Sequence, residues 1–160
     1  SRIEIKKINI SNILETLVDI RSSTINSKIN FLKHTVDVHI LGDANKIAQV
    51  FDNLIQNAAS FSKKNNFISI RIEKNFQNVT VMVEDNGPGF SKGSLKKVFD
   101  RFYTDRPKNE KFGNHSGLGL SISKQIVEAH NGSIEALNRL NEKKECLGGS
   151  VKVTFPETKI

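Results

Sequence analysis

The chain reads as an α+β domain, a mostly antiparallel sheet with helices packed on one face. Three observations predict this. One long stretch, Asp43 to Ser62, carries apolar residues at a helical period. Two alternating runs, Ile68-Ile70-Ile72 and Val79-Val81-Val83, flank the polar segment Lys74 to Asn78, the pattern of a hairpin with one buried face. Helical and strand-like stretches come in runs, not in strict βαβ alternation, which points away from a doubly wound parallel sheet.

Taken in order, Ser1 to Ile10 alternates Ile3, Ile5, Ile8 and Ile10 and reads as a linker plus an edge strand; the domain proper is expected over residues 11–160. Ser11 is the expected cap of a first helix carrying Ile13, Leu14, Leu17, Val18 and Ile25. Val36, Val38 and Ile40 alternate as a strand that ends at Gly42-Asp43, where Asp43 can cap the long helix. On that helix Ile47, Phe51, Leu54, Ile55 and Ala58 form one apolar stripe, and Asn53, Asn57 and Ser60 share a face roughly opposite. A merely solvated face would be charged; this one carries small polar groups.

After the hairpin come a loop over Asp85 to Phe90 and a short helical piece over Leu95 to Arg101. Thr104 to Ser116 is polar and aperiodic, with Pro107 and Gly113, and is expected to form a lid. Leu118, Ile122, Ile126 and Val127 mark a last helix ending near Gly132. Ile134 and Ala136, then Val151, Val153 and Phe155, are two closing strands, with Asn138 to Gly149 read as a polar loop between them.

Composition excludes several classes. The 160 residues suit one domain with a core. No apolar run approaches a membrane span, and no charged-then-apolar signal segment opens the chain. The single cysteine, Cys146, cannot form an internal disulfide and reads as a bystander. The net charge of +7 is spread along the chain without aromatic interleaving, zinc-type spacing or a recognition-helix pattern, so direct nucleic-acid binding is not expected. The four histidines, His34, His39, His115 and His130, form no metal-ligand pattern.

Four short stretches carry chemistry: Asn53-Leu54-Ile55-Gln56-Asn57, Asp85-Asn86-Gly87-Pro88-Gly89, Phe99-Asp100-Arg101-Phe102-Tyr103 and Gly117-Leu118-Gly119-Leu120. Gly87 and Gly89 let the backbone turn sharply and come close to a ligand. Gly117 to Leu120 open a helix, whose free amides and positive end favour phosphate; Ser116 adds a hydroxyl. The spacing is neither a P-loop nor a dinucleotide fingerprint.

In order and spacing these stretches resemble the N, G1, F and G2 boxes of the ATP-binding domain of sensor histidine kinases, over about Ser11 to Phe155. The resemblance implies the two-layer α/β sandwich shared with gyrase-type ATPases, heat-shock protein 90 and mismatch-repair ATPases. It implies ATP and Mg²⁺ as ligands. Asn57 would ligate Mg²⁺, an ion that takes oxygen ligands and leaves room for water and phosphate, and Asn53 would steady water or phosphate. Asp85 would accept the exocyclic amine of adenine; guanine offers a carbonyl there, so two acceptors would face each other and ATP would be preferred over GTP. Phe90 would pack near the base, and Phe61 could stack on it. Phe102 and Tyr103 belong to the box that separates histidine kinases from their superfamily relatives, and Arg101 is a candidate for phosphate contact or for docking a partner helix.

The chain departs from the pattern in two places. Ser60 and Phe61 stand where many relatives have Lys-Tyr or Arg-Tyr, and Thr104 stands where many have arginine. Arg101, Arg106, Lys63 and Lys124 are the cations that could compensate. Ala59 to Ser62 and Phe102 to Pro107 are spelled as in ChvG-type envelope sensor kinases. None of the four histidines sits in a phosphoacceptor setting, so the chain reads as the ATP-binding domain alone. The resemblance then implies a separate helical hairpin bearing the histidine, a cognate response regulator, and a full-length membrane-bound homodimer of the bacterial inner membrane with this domain in the cytoplasm. Two other readings compete: a nucleotide-binding regulator without kinase activity, supported by Ser60 and Thr104, and another ATPase of the superfamily, for which Asp52 is the residue beside Asn53 where a hydrolytic glutamate would be sought.

Overall fold

The computed structural model describes residues 4–25, 28–32, 37–62, 67–91, 93–101, 103 and 119–158. Three helices, α1 (Ile10–Ser22), α2 (Ala44–Phe61) and α3 (Gly119–Ala129), accompany seven strands: β1 (Lys6–Asn9), β2 (Lys28–Leu32), β3 (His39–Gly42), β4 (Phe67–Lys74), β5 (Asn78–Glu84), β6 (Ser133–Leu140) and β7 (Cys146–Pro156). The main sheet has the order β2-β4-β5-β7-β6; β1 and β3 form a separate antiparallel pair. Within the main sheet β2 runs parallel to β4 and the other neighbours are antiparallel. The architecture is thus the expected α+β sandwich, with its sheet content split in two.

Strand alternation decides which face is buried. Ile68, Ile70 and Ile72 of β4, Val79, Val81 and Val83 of β5, and Val151, Val153 and Phe155 of β7 lie on one face and form a single core with α2's Ile47, Val50, Phe51, Leu54, Ile55 and Ala58. Phe51 and Phe155 meet edge to face, with ring centroids 6.4 Å apart. The other face is polar: Thr80 pairs with Thr154 at 3.2 Å, and Arg71 with Glu84 at 3.0 Å. Burial decides the state of α2. Its asparagines and serine each cost up to about 0.7 kcal/mol of helix propensity, whereas each large apolar side chain buried contributes about 1.5–3 kcal/mol.

The starts of α1 and α2 are set by side-chain caps. Asp43 has extended backbone and accepts from the Asn45 and Lys46 amides, as the sequence predicts. The first helix corrects its expectation. Asn9, not Ser11, is the cap and accepts from the Asn12 amide at 3.1 Å, so Ile10 is helical; Ser11 faces inward, its Oγ buried with no hydrogen-bond partner among the described residues. His130, expected only near a helix end, fastens α3 to α2. Its Nδ1 lies 2.7 Å from the Ile126 carbonyl, and Nε2 accepts from the Asp43 amide at 3.0 Å, which selects the neutral ring with its proton on Nδ1.

Three further differences have simple causes. β2 was not foreseen, because an edge strand of five residues shows only Ile29 and Phe31 inward, and its pairing with β4 is long-range. The piece around Leu95 is a single 3₁₀ turn, Lys97–Phe99. The loop expected from Asn138 to Gly149 is mostly strand: β6 continues to Leu140, and β7 begins at Cys146, so only residues 141–145 connect them.

Phe51→Ala, which empties the contact with Phe155, is expected to lower the unfolding free energy by about 3–5 kcal/mol in urea titrations. The Asp43 carboxyl is held below its ordinary pKa chiefly by the Glu4 amide, then by Lys46 and Asn45. Its contribution is therefore present above the unfolded carboxyl pKa of about 3.9 and is lost as pH falls through the lower native value. Asp43→Asn still caps but carries no charge, so the melting-temperature gap between wild type and variant should narrow from pH 6 to pH 3.

Candidate nucleotide site

Three of the four sequence stretches converge on the polar side of α2. At one end, the Asn53 side chain donates toward the Gly119 carbonyl and Ser123 Oγ, both at 3.4 Å, which brings α2 against the start of α3. At the other end, the Phe61 carbonyl lies against Gly87; a Cβ on Gly87 would stand 2.3 Å from that oxygen, so only glycine fits. The Phe61 ring meets the Phe90 ring edge to face at 5.8 Å. Asn57 lies midway, one turn from each. Eight residues of helix separate the two ends, about 12 Å at 1.5 Å per residue.

The Asp85 carboxyl lies at the Phe61 end, just past β5, and is buried. Its Oδ1 accepts from the Gly87 amide at 2.9 Å and from the Gly149 amide at 3.1 Å. Oδ2 meets no donor within hydrogen-bond distance among the described residues. The carboxylate therefore has one oxygen fixed by the protein and one open to a donor. Burial pushes its pKa up; the Gly149 and Gly87 amides and the Arg139 charge oppose this, and Glu84 adds to the rise.

Gly89 has a φ of +80°, and a Cβ there would collide with Cys146 Sγ and Asn138 Oδ1. Ser60 turns its hydroxyl onto its own helix, donating to the Asn57 carbonyl at 2.6 Å. Arg101 is exposed and Tyr103 half-buried, following the 3₁₀ turn. Leu120 packs against the core at the start of α3. Phe102, Ser116, Gly117 and Leu118 lie outside the described residues, as do the expected lid over Thr104 to Ser116, Lys63 and Arg106. Lys124, one of the candidate cations named above, has its ammonium over the Phe99 ring, 5.9 Å from the centroid.

Asp52 is occupied elsewhere. Arg21 grips it with two bonds, Nε to Oδ1 at 2.6 Å and Nη2 to Oδ2 at 2.8 Å, and Gln56 donates to Oδ2 at 2.9 Å. A carboxylate tied in this way is badly placed to activate a water, which weakens the reading of a hydrolytic base beside Asn53.

Sequence reasoning missed the backing of the site. Gly148, Gly149, Asn138 and Arg139 all fell in the stretch taken for a loop. A Cβ on Gly148 would run into the Asp85 carbonyl. The Gly148-Gly149-Ser150 run directly before an alternating strand was the one available signal of close backbone approach. For a metal, no group of three or more His, Cys, Asp or Glu side chains among the described residues could form a cage. Asn57's single amide fits Mg²⁺ chemistry in which a ligand's phosphates supply the other oxygens.

The Asp85 carboxyl has a raised native pKa, so its favourable linkage to stability exists at low pH and is lost as pH rises through that value. Asp85→Asn keeps an oxygen for both amides and removes the buried charge. In urea titrations at pH 7 the variant should match or exceed wild type in stability, and its advantage should shrink below about pH 4.

Comparison with known proteins agrees with this geometry. Residues 42–159 match the family model described as histidine kinase-, DNA gyrase B- and HSP90-like ATPase. The sensor protein ChvG of Rhizobium meliloti (strain 1021) is 37% identical over 166 residues, covering 98% of this chain but 29% of that protein. The chain thus spans less than a third of that relative's length. The nucleotide-free catalytic domain of the histidine kinase ThkA superposes with a TM-score of 0.81 at 28% identity, covering 97% of both chains. ThkA in complex with the response regulator protein TrrA superposes with a TM-score of 0.78 at 27% identity, covering 98% of this chain and 42% of that one. With a converging site and a family match over most of its length, the chain belongs to the histidine kinase-, DNA gyrase B- and HSP90-like ATPases, on the sensor histidine kinase branch.

Proposed function

We propose that this chain is the ATP-binding domain of a ChvG-like sensor kinase, and that it presents the γ-phosphate of ATP to a histidine on a separate helical hairpin. The observation that carries the reading is the Asp85 carboxyl, buried, with Oδ1 held by two amides and Oδ2 open to an exocyclic amine. Adenine would sit at that end, against the Phe61–Phe90 pair. The triphosphate would run along the polar face of α2 toward Asn53 and the amides opening α3. Asn57 would hold Mg²⁺, which shields phosphate charge when bound.

The chain's own contribution is mainly placement. The γ-phosphoryl leaves the ADP oxygen for a neutral imidazole nitrogen, the ring proton passing to a base on the hairpin; no residue of this chain is assigned that role. The engagement of Asp52 by Arg21 favours transfer over hydrolysis. The ThkA complex, which contains a response regulator, supports a regulator as the downstream acceptor. Membrane attachment and a homodimer of the full-length protein belong to this proposal; no helix among the described residues is long and apolar enough to cross a membrane.

Calorimetric titration of ATP with and without Mg²⁺ tests the site. Asp85→Asn should weaken binding by about 10- to 100-fold, and Asn57→Ala should abolish the Mg²⁺ enhancement while leaving metal-free binding in place. Phosphate transfer from wild type to a separately supplied histidine hairpin tests the activity; ATP binding without transfer would leave a nucleotide-binding regulator instead.

A further inference from the structure

The end of β6 holds the base-recognition loop from both sides. Alternation along the strand sends Asn138 to the helix-covered face and Arg139 to the open one. On the first face, Asn138 pairs with Phe90 through both ends of its amide: Oδ1 accepts from the Phe90 amide at 2.7 Å, and Nδ2 donates to the Phe90 carbonyl at 2.9 Å. On the other face, Arg139 Nη2 donates to the Asp85 carbonyl at 2.6 Å, to Asn86 Oδ1 at 2.8 Å and to the Leu147 carbonyl at 3.4 Å. Arg139 Nε lies 3.9 Å from Glu84 Oε2, and Glu84 is itself paired with Arg71.

We infer that Asn138 and Arg139 are positioning residues for purine recognition, fixing Asp85 and Phe90 so that the 6-substituent of the base meets Asp85 Oδ2. The inference rests on the nucleotide reading of the site. The loop from Asp85 to Phe90 makes no strand ladder of its own, so these side chains supply hydrogen bonds that a neighbouring strand would otherwise give. Asp85 is then fixed at three points: its amide donates to the Gly149 carbonyl at 3.0 Å, its Oδ1 accepts from two amides, and its carbonyl accepts from Arg139. The guanidinium also places a positive charge behind a buried carboxylate, opposing the burial that disfavours ionisation. A hydrogen bond weakens steeply with misalignment, so loosening the loop should cost the amine contact first.

The test compares ADP with inosine diphosphate, which carries a carbonyl where adenine carries its amine. Calorimetry on the wild-type chain should show ADP preferred. Arg139→Ala and Asn138→Ala should each weaken ADP by about tenfold while inosine diphosphate changes less than about threefold, so that the preference collapses. Arg139→Lys, which restores one donor and the charge, should recover part of it and serves as the informative variant if Arg139→Ala does not fold. A general structural role would weaken both ligands alike, and that outcome overturns the inference, as does unchanged ADP binding in both variants. Wild-type chain that binds neither diphosphate overturns the nucleotide reading itself, and the inference with it.

Discussion

The site is organised by one hydrogen-bonded arrangement: the Asp85 carboxylate at the end of β5, with Oδ1 fixed by the Gly87 and Gly149 amides. Removing a carboxylate from water is costly unless donors replace the lost hydration. Two amides and the Arg139 charge supply part of that replacement, and a raised pKa records the remainder. The open Oδ2 is where a further donor would complete the shell. The same arrangement requires two glycine-containing segments to approach closely, since a Cβ on Gly87 or Gly148 would collide with backbone.

That arrangement depends on the sandwich behind it. β5 and β7 pair directly, with Glu84 opposite Ser150, so the two segments that flank Asp85 emerge side by side from adjacent strands. α2 lies across the buried face on an apolar stripe that reaches Phe51 and Phe155, and its polar side consequently looks away from the core. One helix thereby carries Asn53 to the start of α3 and Phe61 to the Gly87 turn. Because α2 is rigid, the spacing between the two ends is set by helix geometry.

A few charges outside the site are paired across elements. Arg21 with Asp52 joins α1 to α2, and Arg71, Glu84 and Arg139 run along the open face of the sheet toward the Asp85 loop. Half-buried pairs near the surface, still reached by solvent, add little stability one by one. Their effect here is geometric: they hold side chains that in turn hold backbone. Lys124, over Phe99, shows the same tendency of cations to be tied up locally.

Much of the fold, and the backbone turns that frame the candidate site, could be read from the chain alone. The α2 stripe, the β4–β5 hairpin, the Asp43 cap and the roles of Gly87 and Gly89 depend on local periodicity and backbone sterics, which neighbouring residues encode directly. Ser11 misled because Asn9, two residues earlier, could cap as well, and the choice turned on which side chain faced the core. β2, the end of β6 at Leu140 and the start of β7 at Cys146 were invisible because short edge strands and Gly-rich strands lack a strong apolar alternation. The binding of Asn138 to Phe90, of Arg139 to Asp85 and of Arg21 to Asp52 spans 48, 54 and 31 positions. Residue order specified which chemistry the chain carries, because turns, caps and stripes are short-range. Only the packed sheet decided which side chains hold that chemistry in place, because contacts between distant segments exist only after burial has brought the strands together.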